Sequence, residues 1–305
     1  MIRKPVRRPL GSCPVGLPKQ IGYDAEMAKK TKSPTSNTAQ MDSPSYILPA
    51  LDADFLLSDP MRGVRFQLEY EKAEQLQRAW EVRSTIVVFG SARASADKAH
   101  DTNRWYAEAR RFGALAAREG GSLLSTSHPR DNVIATGGGP GVMEAANRGA
   151  SDAGAPSIGY NIILEHEQEP NSYSTPDLTF LFHYFGMRKM HFAMRANALV
   201  VFPGGFGTLD ELFELLTLRQ TGKAPPIPVV LFDKAFWTKV INFDALVEYG
   251  TIAPQDLDLF AYADTPEEAW RILVDEGVME LRHTGEATAE QKDPDAEPSS
   301  LPEDN

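Results

Sequence analysis

The apolar positions of this chain gather into short runs separated by longer amphipathic stretches. Thr85–Phe89 (TIVVF), Asn132–Thr136, Ser157–Ile162, Leu178–Phe182, Ala198–Phe202 and Pro228–Phe232 have the length and side chains of strands buried on both faces. Between them, Arg62–Trp80, Asn103–Arg118, Val142–Ala153, Met187–Ala196 and Thr208–Arg219 read as helices. Trp237–Tyr249, Leu257–Tyr262 and Pro266–Leu281 continue the alternation. Such a pattern predicts βαβ units, hence an α/β fold: a Rossmann-like doubly wound parallel sheet with helices on both faces. Sheets of this kind hold ligands outside the carboxyl ends of their strands, near the point where strand order switches.

Charge divides the chain. Residues 1–41 carry eight Lys/Arg against two acids, and residues 284–305 carry seven acids against Lys292 alone. Both ends are rich in proline and poor in apolar periodicity, so they are expected to stay disordered. The expected organisation is a basic leader over 1–45, one Rossmann-like domain over 46–283 and an acidic tail over 284–305. Leu10-Gly11-Ser12-Cys13 superficially matches a lipoprotein cleavage site, but the four basic residues before it leave no hydrophobic segment to insert. A start at Met27 or Met41 would remove most of the leader.

The net charge of −11 argues against nucleic-acid and anionic-membrane partners. Cys13 is the one cysteine, which excludes intrachain disulfides and cysteine-rich zinc sites. No apolar run approaches the ~20 residues of a membrane span. These features predict a cytoplasmic protein. The six histidines show no metal-binding spacing, so no metal is expected.

The strongest local signal is Val201-Phe202-Pro203-Gly204-Gly205-Phe206-Gly207-Thr208-Leu209-Asp210-Glu211. A strand runs through three glycines into a helix, with Thr208 as its expected N-cap. Glycine admits close approach of a ligand, and the helix N-terminus suits a phosphate. A tight strand–helix turn holding nothing fits the same local pattern. Walker A is absent, and G-x-G-x-x-G fails from both Gly137 and Gly205, so a compact mononucleotide fits better than a dinucleotide. The second turn, Gly137–Gly141, reads either as a nucleoside contact or as close strand–helix packing. Glu211 and Glu214 share one helix face, and Arg188-Lys189 start the helix feeding the strand before the turn. A basic pair is disfavoured at a helix N-terminus, so an anionic partner is expected there unless the pair is ordinary surface charge.

Gly186-Met187-Arg188-Lys189 followed by Pro203-Gly204-Gly205-Phe206-Gly207-Thr208-Leu209-Asp210-Glu211 resembles the signature of the LOG ("Lonely guy") family. Gly137–Gly141 and Thr217…Gly222 match it too, and the resemblance covers roughly residues 84–280. The family is known for cytokinin riboside 5′-monophosphate phosphoribohydrolases and is often mislabelled lysine decarboxylase. The resemblance implies a cofactor-free hydrolase that cleaves a nucleoside 5′-monophosphate to free base and ribose 5-phosphate, working as a homodimer or larger homo-oligomer. It implies Arg188 and Glu211 as catalytic residues. Lys189, Gly204, Gly205, Phe206, Gly207, Thr208, Leu209, Asp210, Thr217, Gly138, Gly139 and Glu144 would bind substrate. The family's upstream glutamate falls on Glu167 or Glu169, with Glu167 preferred.

The additional helix at 62–80, Glu144 in place of a glycine and the two charged ends set the chain nearer the longer bacterial members, for which AMP is an expected substrate. A decarboxylase would route its chemistry through pyridoxal phosphate on a lysine, whereas Lys189 sits among nucleotide-binding motifs. The competing function is a carrier of a nucleotide or of molybdenum cofactor, which needs the glycine cradle but neither Arg188 nor Glu211. Because neither end offers a buried apolar face, deleting 1–41 and 284–305 should leave melting temperature and activity unchanged. Insoluble protein after that deletion would give the ends a structural role.

Overall fold

The computed structural model describes residues 36–95, 101–123, 129–164 and 169–280, with backbone alone at 101–103. Most of the expected leader and all of the expected acidic tail lie outside these residues. Residues 36–45 hold α1 (Thr38–Met41), a single exposed turn with no buried residue. Two short turns then lead through α2 (Ala53–Leu57) into the long α3 (Arg62–Ala79).

The sheet has seven strands: β1 (Thr85–Phe89), β2 (Val133–Thr136), β3 (Ser157–Ile162), β4 (Thr179–Phe182), β5 (Ala196–Val201), β6 (Val229–Phe232) and β7 (Ala261–Ala263). All neighbours are parallel, in the order β4-β3-β2-β1-β5-β6-β7. Alternation along each strand feeds two cores. Ile86, Val88, Ala198, Val200 and Phe202 pack beneath α4 (Asp101–Glu119), α5 (Val142–Asp152) and α10 (Pro266–Asp275). Val87, Phe89, Leu199 and Val201 face the other way, toward α3, α6 (Phe185–Met194) and α7 (Phe206–Gln220). Burial on both faces is why the strands read as continuous apolar runs.

Three local expectations are corrected. Gly205, not Thr208, is the N-cap of α7; the helix starts two residues earlier than expected, which makes Thr208 a buried residue of the first turn rather than a cap. The expected helix 237–249 is two helices, α8 (Lys234–Val240) and α9 (Phe243–Glu248). Asp233 and Asn242 each cap one of them through side-chain acceptance of a backbone N–H. The last helix ends at Asp275 because Gly277, at φ 87°, turns the chain out of helical geometry.

The chain runs outward from β1 through β2 and β3 to β4, then returns to place β5 against the opposite side of β1. The strand-order switch therefore lies between β1 and β5. There the turns after three strands are tied together at Ser91, whose N–H donates to the Pro203 carbonyl (2.9 Å) and whose carbonyl accepts from Val142 N–H (3.1 Å). Gly141 makes this junction possible. Its φ of 75° suits glycine, and a Cβ there would overlap the Ser91 carbonyl oxygen. Gly141→Ala should cost about 2–4 kcal/mol, by strain and steric overlap together, and lower the urea midpoint. Gly154→Ala, at φ 80° but with nothing within 4 Å, should cost only about 1 kcal/mol. Equal midpoints for the two variants would deny the junction its role.

Candidate active site

A cleft of about 710 Å³ opens at the strand-order switch. Phe89 and the turn Gly90–Arg93 after β1 form one side, and Gly204–Leu209 after β5 form the other. Met143 of α5 and Phe236 and Val240 of α8 add apolar wall. Arg188 and Glu211 enter from α6 and α7. By the position of α7, the N–H groups of its first turn lie at the mouth of this cleft, where a helix has donors without internal partners.

Arg188 Nη1 stands 3.7 Å from Glu211 Oε1, with side chains 12% and 5% exposed. Arg188 is aimed by its own Nε, which donates to the Tyr160 carbonyl within β3 (2.8 Å). Its guanidinium rests over Gly137, where an added Cβ would come 2.5 Å from Nη2. The Gly137–Gly141 turn thus leaves room for the arginine. Burial pushes Arg188 below its ordinary value, against the pull of Glu211. Burial likewise pushes Glu211 up to about 7, against the nearby Lys189 and Arg188. Both members are shifted toward their neutral forms, so the pair does not saturate either charge. An anionic group on the ligand would complete the arginine, and a developing cation would complete the carboxylate.

Lys189 points to the other side of the same helix turn. Its Nζ meets Glu214 (2.8 Å), Asp210 (2.9 Å) and, at 4.0 Å, Glu211. Burial works against the ammonium, but the bonds to Glu214 and Asp210 outweigh it and raise its pKa. The anionic partners expected for the basic pair are therefore carboxylates of α7.

Of the expected substrate contacts, Gly204, Gly205, Phe206, Gly207, Thr208 and Leu209 line the cleft with Arg188 and Glu211. Lys189, Asp210 and Thr217 line a separate, shallower groove of about 470 Å³ along the outer face of α7. Phe206, 91% exposed, and Leu209 border both hollows. Gly138 donates its N–H to Thr136 Oγ1 (3.0 Å), and the Gly139 carbonyl accepts from Asn171 Nδ2 (3.1 Å). Glu144 accepts from the Tyr106 hydroxyl (2.7 Å) and is not among the residues lining the cleft. Glu167 lies outside the described residues. The turn Gly90–Arg93, Phe236 and Val240 were not assigned to the site from sequence. A glycine directly after TIVVF was the available signal for the turn, whereas α8 carries no motif.

The fold and cleft define an α/β protein with a site at the switch point of a parallel sheet. The sequence profile of the family described as "Possible lysine decarboxylase" matches residues 143–273. A cytokinin riboside 5′-monophosphate phosphoribohydrolase of Arabidopsis thaliana, LOG3, is 27% identical over 141 residues, 45% of this chain and 64% of that protein. A probable enzyme of the same name from Oryza sativa subsp. japonica, LOGL2, is 34% identical over 83 residues, 27% of this chain and 34% of that protein. These matches make the chain similar, over residues 143–273 and in partial alignments, to proteins of the LOG family.

The chain spans about a third to two thirds of the length of these curated relatives. Among solved structures, the molybdenum cofactor binding protein of Rippkaea orientalis is 21% identical, with a TM-score of 0.42 over 64% of this chain and 98% of that one. The Moco carrier protein of Chlamydomonas reinhardtii is also 21% identical, with a TM-score of 0.41 over 65% of this chain and 99% of that one.

The decarboxylase label implies pyridoxal phosphate held on a lysine. The site does not fit that group, because Lys189 is held as an ammonium between two carboxylates while imine formation needs a free amine. Among the described residues no helix is long and apolar enough to cross a membrane, and no cluster of three or more ligating side chains could hold a metal ion. Carboxyl-carbon NMR of the folded protein should give Glu211 a pKa near 7, and Lys189→Met should raise it further by removing the larger opposing cation. Titration near 4.5 in the unmodified chain would contradict this electrostatic picture.

Proposed function

We propose that this chain is a nucleoside 5′-monophosphate phosphoribohydrolase that converts AMP, or a related purine 5′-monophosphate, to free base and ribose 5-phosphate. The observation that carries this reading is a buried arginine facing a buried carboxylate in a cleft walled by the turns after β1 and β5 and the start of α7. The 5′-phosphate sits against the Gly204–Thr208 turn and the first-turn N–H groups of α7, with Arg188 supplying charge-assisted hydrogen bonds. Anchored in this way, the ribose is held with C1′ within reach of Glu211.

Cleavage breaks the C1′–N bond, with positive charge growing on the ribose and the electron pair leaving on the base, which gains one proton as the attacking water loses one. The Glu211 carboxylate, in a poorly solvated position, answers that charge and orients the water whose oxygen forms the new bond to C1′. The carboxylate is the competent form, and its raised pKa also makes it a usable proton acceptor near neutrality. Phe89, Met143, Phe236 and Val240 give the cleft the apolar surface a purine ring requires. The protein is further proposed to be cytoplasmic and to act as a homodimer or larger homo-oligomer, as the family resemblance implies.

Purified protein should release adenine and ribose 5-phosphate from AMP while leaving adenosine nearly untouched. Equal turnover of both would sink the phosphate-anchoring role, and AMP bound but returned intact would identify a carrier. Glu211→Gln should keep fold and nucleotide binding but lower kcat by about 100-fold or more, the scale for losing one transition-state electrostatic group. Arg188→Ala should harm both kcat and KM, and Glu214→Gln should be milder than either. Normal turnover in a well-folded Glu211→Gln protein would remove the mechanism.

A further inference from the structure

Helix α6 carries Arg188, yet its own sequence gives it a weak start. Tyr184, its N-cap, makes no side-chain capping bond, Phe185 is 53% exposed, and a Cβ added at Gly186 would meet nothing within 4 Å. Glycine in a first turn also lowers helix propensity. The first i→i−4 bond of α6 is made by Arg188 itself, whose N–H donates to the Tyr184 carbonyl (3.2 Å). Fraying of this turn therefore displaces the arginine directly.

The segment entering α6 is anchored instead from another helix. Glu69 of α3 accepts from the N–H of His183 (2.9 Å) through one carboxylate oxygen and from the N–H of Tyr184 (3.3 Å) through the other. It places a negative charge at a helix N-terminus that otherwise carries two cations in its early turns. Arg65, one turn earlier on α3, donates to the Tyr184 hydroxyl (2.8 Å), and Phe66 packs edge-on against the Tyr184 ring. At the far end of α6, Glu74 of α3 forms a two-pronged pair with Arg195, the C-cap residue, and lies 3.6 Å from His191. Burial opposes the Glu74 carboxylate, but Arg195 outweighs it and lowers the pKa. One helix thus grips both ends of another.

We propose that α3 is a positioning helix for the cleft, with Glu69 anchoring the entry to α6 and thereby holding Arg188 where an anionic ligand meets it, while Glu74 fixes the opposite end. The inference rests on reading the cleft as a site for a phosphorylated sugar. Glu69 touches no reacting atom and acts only through α6. It also gives the additional N-terminal helix of this chain a task beyond covering the sheet.

Glu69→Gln tests this, since it keeps the shape of the side chain and removes its charge. Ribose 5-phosphate binding, measured by calorimetry on the full chain, should weaken about tenfold, because apparent affinity scales with the fraction of molecules whose site is assembled. Amide exchange at Arg188 should accelerate, while amides of β5 keep their protection. Val278→Ala, buried beneath the opposite face, should lower the melting temperature without altering that affinity. Unchanged affinity in Glu69→Gln, equal weakening in Val278→Ala, or no ribose 5-phosphate binding by the unmodified chain would each overturn the positioning role. Failure of the unmodified chain to cleave AMP while the tenfold weakening persists would remove the proposed reaction and leave Glu69 its place.

Discussion

Between β4 and β5 the chain has to cross from one edge of the sheet to the far side of β1, and α6 is the segment that makes the crossing. A right-handed parallel fold allows few routes for such a return. This one lays Arg188 across the carboxyl ends of the strands, bonded to the β3 carbonyl of Tyr160 and resting over Gly137. The incoming β5 then delivers α7, and with it Glu211, to the same place. The cleft exists because two turns diverge at the switch, and its charges meet because the helices on either side of β5 are consecutive in the chain.

Burial governs the chemistry of that meeting. An exposed arginine and glutamate would be fully ionised and largely screened by water. Here desolvation moves both toward neutrality, so neither group is satisfied by the other at 3.7 Å. Lys189 has a different fate on the next residue. Asp210 and Glu214 hold it as an ammonium, which keeps a cation near Glu211 without placing it among the cleft's lining residues. Adjacent basic residues thereby divide into one with unspent hydrogen-bonding capacity and one fully engaged.

Much of this was legible in the sequence because the fold is built from locally consistent pieces. The strands were readable as apolar runs, since both faces are covered, and the glycine turns announced where the helices begin. Glu211 could be placed with the Gly204–Thr208 turn because the turn and its helix are contiguous, whereas Arg188 joined them through the family resemblance. What was not legible depended on particular side-chain contacts, some of them distant in sequence, that a periodic pattern does not carry. Gly205 displaces Thr208 as the cap because the buried threonine packs against Gly204, a local contact that N-cap statistics do not contain. The break between α8 and α9 rests on Asn242, one polar residue in an otherwise helical pattern. The bond from Glu69 to the start of α6 spans more than a hundred residues, so no periodicity could reveal it.

The claim on which the account turns is that the Glu211 carboxylate, with its raised pKa, answers the charge that grows on the ribose. The pH dependence of kcat/KM for AMP, measured on the unmodified chain beside Glu211→Gln, tests it most directly. The account predicts a rate that rises with pH through about 7 in the unmodified chain, with that limb absent from the residual activity of the variant. The same rising limb in both proteins, or a rate that falls as Glu211 loses its proton, would contradict it.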